Sequence, residues 1–549
     1  MQGDGRGDPS PTVYDKRTVE GYKSLYAVLR RKTQFITLGN NSINPIGCFV
    51  IFRCETSNSS NDSTLCTALR MLHSIHSEIA KTQKRRVILI TQDLANKALD
   101  LALSKGGDFA ELYIEDTESN SLTMLNGDTD NASSSRRVGC GVRVVSGTNY
   151  VYTYTAGLGE KDILAAAQAA ADATDAEKQA EAIEFEVKAF SAKIEKQAAD
   201  VDNSFRAKLL LDAHNAAKSV DSRIAQVKAV IADTDKRVLI CNSEGLFASD
   251  RRANTRIRIQ SIARDGSETQ TGMASPGKGC GYELFDRIDV AQLGKQASEM
   301  AITMLTAPEC PSGRYPVVID GGFGGVVFHE ACGHSLETTA VSRGNSEFCG
   351  KLGQQIASEK VTAIDDGTIP GEWGTLSIDD EGHPTQRNVL IEKGILKGYM
   401  SDMIGSRRMG IARSGNGRRQ DYTFAPTSRM TNTFIAAGED DDEEMISTLG
   451  TGLYAKTMGG GSVNPLTGEF NFAVNEGYWV KDGKILCAVR GASLIGKGGE
   501  VLMNIDRVGK NVELAAGVCG SVSGDVPTNV GQPRIRIKEL TVGGKGGAL

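Results

Sequence analysis

Several things are scarce in this sequence, and each scarcity narrows what the chain can be. No Cys-x-x-Cys pair occurs, and the eleven cysteines follow no regular spacing. That argues against a zinc ribbon or a disulfide framework and for reduced thiols, so a cytoplasmic protein is the expectation. Long apolar runs are missing. The most marked one near the start, Ile46 to Phe52, is far below the roughly 20 residues a spanning helix needs, and no small-residue cleavage site accompanies it. Basic charge is not in excess. A net charge of −6 and a pI of about 5.7 argue against direct nucleic-acid binding, which needs a basic surface. Proline is sparse (13) while glycine is plentiful (62), a pairing that suggests tight turns and β-structure instead of Pro-rich linkers. Histidine is rarest of the reactive residues, six in all, so each can be weighed singly.

At 549 residues the chain is too long for one hydrophobic core. Residues 1–90 read as a poorly ordered or loosely attached extension: the Arg6-Gly7-Asp8 triplet and the Asn58 and Asn61 sequons have no secretory context, and a polar tract runs from Ser57 to Ser63. Residues 91–308 read as an N-terminal α+β domain, with hairpin strands and inserted helices. Helices are expected from Asp93 to the glycines 106–107, from Lys161 to about Thr174, and from about Asn203 to Ser219, where apolar residues recur at helical spacing. Strands are expected at Ala110 to Glu115 and Arg256 to Gln260. Hairpins should join Gly139–Val145 to Tyr150–Tyr154, and Val227–Ala232 to Lys236–Cys241 across Asp233-Thr234-Asp235. Residues 309–549 read as a β-rich domain, and the whole is expected to be of the α+β class.

The stretch Phe323 to His334, FGGVVFHEACGH, carries the chemistry. A helical zinc-protease motif is H-E-x-x-H, but here three residues separate Glu330 from His334. On an ideal helix, residues five apart differ by about 140° and residues four apart by about 40°. His329 and His334 would therefore face apart unless the helix is distorted, and Gly333 is the residue expected to end or kink it. A catalytic zinc also wants a third protein ligand, leaving one position open. His383, in the polar turn Asp379 to Pro384, and Cys519, in Gly517-Val518-Cys519-Gly520, are both candidates; residue types alone do not choose between them. The bland alternative is a buried helix with two satisfied histidines.

Phe323 to Glu337 (FGGVVFHEACGHSLE), Asp379-Asp380-Glu381-Gly382 followed by Pro384-Thr385-Gln386-Arg387, Gly415 to Arg419, Arg429 to Thr433 and Gly459 to Gly461 occur in an order that resembles the TldD/PmbA family, its TldD branch in particular. The likeness runs from about Thr91 to the C-terminus. It implies that His329, His334 and Cys519 bind Zn2+ and that Glu330 is catalytic, as the general base of a zinc-dependent peptidase acting on unfolded or extended peptides. It implies a dimer as well, possibly with a PmbA-like subunit. Arg418 and Arg419 are candidates for substrate binding, although paired arginines more often serve structural ion pairs. The rival reading is a non-catalytic partner or modulator with a structural metal site, in keeping with the family's older name, modulator of DNA gyrase. A carboxylate beside the first histidine favours the enzyme.

Overall fold

The computed structural model describes residues 90–176, 180–181, 183–464, 467–547 and 549. The expected N-terminal extension lies outside them, except for its last residue. From Thr91 onward the helices follow their sequence cues. Thr91 caps Gln92–Ala102 through a bond from Leu94 N–H to its hydroxyl, and Ala95, Ala98, Leu99 and Ala102 form the buried stripe. Helix Glu160–Asp172 buries Ile163 and four alanines in the same way. Asn203–Lys218 and Val290–Thr306 complete the set, the latter capped by the Asp289 carboxylate.

These helices cover a strongly drawn-out sheet. Its order is Asn149–Thr155, Asp128–Ser146, Phe109–Leu125, Ile224–Asn242, Leu246–Asp265 and Glu186–Ala189, antiparallel except for the last pair. The expected hairpin at Asp233-Thr234-Asp235 does not form. Ile224–Asn242 is one 19-residue strand, because neighbouring strands satisfy the acidic residues in place. Asp233 accepts from Asn120 Nδ2 (2.8 Å) and the Tyr282 hydroxyl (2.7 Å), and Arg251 grips Asp235 at 2.6 Å. Strand Phe109–Leu125 likewise runs far beyond Glu115, through a polar stretch that conceals it in the sequence.

The later half is β-rich. Gly452–Val463, Gly313–Ile319, Ile535–Gly543, Ser493–Lys497 and Glu469–Lys481 pair in succession, and the last pairs back with the first to close a ring. A second sheet runs Ile395–Leu396, Arg387–Glu392, Ala363–Asp366, Asn432–Ile435, Gly524–Gln532 and Glu513–Ser521. Its last two strands form a hairpin, and Glu513–Ser521 ends the order. The motif segment packs among these elements, burying Val326, Val327, Phe328, Ala331 and Cys332 in the largest apolar core.

The drawn-out sheet turns its other face to the loops of the later half. Tyr113, Val238 and Ile240 pack there against Ile378 and Tyr422. Buried ion pairs cross the same contact: Arg143 bonds both Glu111 and Glu381 at 2.8 Å, Arg419 pairs with Glu111, and Arg252 pairs with Asp380. Burial alone would raise the Asp380 carboxyl, but Arg252, Lys236 and Arg419 outweigh it and bring its pKa down to about 2. Removing one partner of such a pair leaves a bare charge behind. Arg143→Met should therefore cost roughly 3–5 kcal/mol, read as a lower urea midpoint; an unchanged midpoint would show the network to be dispensable. Because the folded pKa of Asp380 lies below the unfolded value of about 3.9, its contribution is full above that value and is lost as pH falls toward about 2. Acid titration of Asp380→Asn should show a shallower loss of stability over that window.

Candidate active site

The spacing problem has a backbone solution. Val326–Phe328 is α-helical, but His329–Gly333 forms a π turn, in which the His334 N–H bonds the His329 carbonyl five residues back. The wider turn brings residues five apart onto one side. Gly333 is not the break that the sequence suggests, since its backbone stays helical at φ −55°, ψ −53°. Its missing side chain matters for contact: a Cβ there would lie 2.4 Å from the Met430 sulfur. Gly325 acts similarly at the start of the segment, where a Cβ would meet the backbone of Gly531. The motif thereby lies directly against the hairpin that bears Cys519.

His329 Nε2 and His334 Nε2 each lie 3.3 Å from Cys519 Sγ, and the two rings stand nearly perpendicular at 85°. All three donor atoms fall within 4.8 Å of one another. Tetrahedral zinc with ordinary bond lengths separates a nitrogen from a sulfur ligand by about 3.5 Å, so this set fits the ion. The donors are also electronically suited to a metal. Burial on its own would raise the Cys519 thiol, but the two histidines outweigh it and bring its pKa down to about 3, which makes it a thiolate. For His334, burial acts to lower the pKa, yet Glu337 and Cys519 hold it well above the ordinary value. Glu337 sits 3.3 Å from His334 Nδ1, directing Nε2 toward the thiolate. Glu330 Oε2 lies 3.8 Å from His334 Nε2. Its side chain is 28% exposed against 5% for Glu337, so of these two acids it is the one open to solvent.

The other candidates are elsewhere. His383 is not among the converging donors; its backbone closes the Asp379 turn through hydrogen bonds in both directions. Arg418 and Arg419, expected as possible substrate contacts, are 3% and 2% exposed and already engaged. Arg418 donates to the Met430 and Pro527 carbonyls. Arg419 pairs with Glu111 and lies over the Tyr113 ring. Both guanidinium groups are buried away from the surface a peptide would meet. Sequence reasoning missed Glu337 and Arg429, the latter donating to the Cys519 carbonyl. Glu337 had a visible signal, a carboxylate three residues after a histidine. Arg429 had none beyond its place in a shared motif.

Comparison with known proteins gives the family. Three family models match in order: PmbA/TldA metallopeptidase domain 1 over residues 110–174, the central domain over 196–305 and the C-terminal domain over 312–544. The metalloprotease TldD homolog of Haemophilus influenzae is 36% identical over 471 residues, covering 83% of this chain and 97% of that protein. The zinc metalloprotease TldD homolog of Saccharolobus solfataricus is 28% identical over 53% of this chain and 65% of its own length. A candidate modulator of DNA gyrase from Thermotoga maritima shares the fold, with a TM-score of 0.67 at 21% identity, covering 82% of this chain and all of the other. No described helix is long and apolar enough to cross a membrane. The chain is a metallopeptidase, and it belongs to the PmbA/TldD family.

Proposed function

We propose that the chain is a zinc-dependent peptidase in which His329, His334 and Cys519 hold the metal and Glu330 is the general base. One observation carries this reading: three donor atoms of zinc-binding type converge, each histidine nitrogen 3.3 Å from the Cys519 sulfur, beside a carboxylate that is partly open to solvent. When bound there, zinc would supply Lewis acidity, polarising a peptide carbonyl and making water easier to deprotonate. Glu330 takes the proton of the attacking water and passes it to the leaving amine. Glu337 keeps the His334 ring in one tautomer, so that Nε2 stays available as a ligand. The two histidines favour the thiolate form of Cys519, the form in which sulfur binds zinc.

The substrate we favour is an unfolded or extended peptide, whose backbone would be recognised through strand-like hydrogen bonds with little sequence choice. A dimer, with a PmbA-like chain as its candidate partner, is part of the same proposal. The rival, a structural metal site in a non-catalytic modulator, leaves the exposed Glu330 without a task.

Elemental analysis of the purified protein should find about one zinc per chain, as a three-ligand catalytic site requires. Cys519→Ala should lose both the metal and peptide hydrolysis; full occupancy in that variant would remove Cys519 from the ligand set. Glu330→Gln separates holding metal from using it. It should retain zinc while kcat falls by roughly 10²- to 10⁴-fold, and near-normal turnover would end the general-base assignment.

A further inference from the structure

The three donors come from two pieces of chain that meet only through folding, since His329 and Cys519 are 190 residues apart. Their fit to an ion depends on whatever fixes the hairpin against the π turn. Gly325 against Gly531 sets one end of that contact. At the other end lies the dipeptide Arg429-Met430, and it touches both pieces.

Arg429 is fully buried. Its guanidinium donates to the Cys519 carbonyl, to Ser523 Oγ at 3.0 Å and to the Gly524 carbonyl at 2.7 Å. All three acceptors belong to the strand end and turn that carry the thiolate. A planar fork reaches them together, which the single ammonium of lysine cannot do. Arg429 is itself anchored, because its N–H bonds the Asn416 carbonyl while Asn416 Nδ2 donates to its own carbonyl at 2.9 Å.

Met430 points the other way. It too is fully buried, and its sulfur fills the space left by the absent side chain of Gly333, between the two histidines in sequence. Its carbonyl accepts from Arg418, whose other nitrogen donates to Pro527 O at 2.8 Å. Pro527 is the cross-strand partner of Val518, the neighbour of Cys519. The dipeptide is therefore wedged between the histidine turn and the cysteine hairpin, tied to the hairpin twice.

We propose that Arg429 and Met430 act as one clamp that positions the metal ligands, Arg429 by fixing Cys519 and Met430 by fixing the π turn through its contact with Gly333. The proposal rests on the metal-binding reading above. Among the described residues, the acceptors of the Arg418 and Arg429 side chains are all carbonyls and hydroxyls. None of these bonds is to a carboxylate, so what the hydrogen bonds of both arginines hold in place is backbone and hydroxyl groups of the hairpin and of Met430.

The test is zinc affinity by competition with a chelator, alongside melting of the metal-free proteins followed by circular dichroism. Arg429→Lys keeps the charge but loses the fork, and should weaken zinc binding on the order of 10- to 100-fold with the metal-free melting curve little changed. Gly333→Ala should weaken binding by pushing on Met430, and adding Met430→Ala should recover a large part of the loss. Wild-type affinity in Arg429→Lys, or no recovery in the double variant, would overturn the clamp while leaving the peptidase reading intact. A drop in metal-free melting with affinity unchanged would make Arg429 a structural residue only. Wild-type protein that takes up no zinc would overturn both proposals together.

Discussion

One backbone hydrogen bond, from the His334 N–H to the His329 carbonyl, makes the centre possible. Spanning five residues instead of four, it widens the helix for a single turn and places both imidazoles on the side where the cysteine hairpin arrives. In a regular helix they would diverge by about 140°, and no rotamer choice would bring both to one sulfur without moving the main chain. Everything else at the site follows from that turn: the paired 3.3 Å approaches to Cys519, the Glu337 contact on the far nitrogen of His334, and the outward placing of Glu330.

The segments that carried the family likeness divide by task. FGGVVFHEACGH supplies two of the three converging donors and the carboxylate beside them. Asp379 to Gly382 and Gly415 to Arg419 touch no donor atom of the cluster and work instead as a buried polar joint. Asp379 accepts from the backbone of Glu381, His383 and Gly417, while Glu381 meets Arg143 and the Met403 N–H. Such a joint is costly to leave half made, because each carboxylate is buried and depends on a specific cation or N–H. That dependence explains why residue types suggestive of catalysis are here spent on holding the two halves of the fold together.

Local features were the most legible in the sequence. Helix Gln92–Ala102 shows its cap and its stripe, and the hairpin of Asp128–Ser146 with Asn149–Thr155 shows its turn, with a φ of 60° at Gly147. The His329, Glu330 and His334 grouping was visible from spacing alone, and Cys519 needed the resemblance. What stayed hidden depends on partners distant in the chain. Asp233 and Asp235 look like a turn until Asn120, Tyr282 and Arg251 are seen to satisfy them. Gly333 looks like a hinge until Met430 is found in its place. Arg418 and Arg419 look available until Pro527 and Glu111 are seen to hold them. Polar residues are misread most readily in this way, because their preference is set by who bonds them and not by their own type.

The 190-residue separation of His329 from Cys519 also has a consequence in time. A growing polypeptide displays the two histidines and Glu330 long before the strand that bears the thiolate exists. Two imidazoles alone make an incomplete set for a catalytic zinc, and the π turn lacks the hairpin it packs against. The three-donor cluster is thus completed in one late event, the docking of the hairpin over residues 513–532.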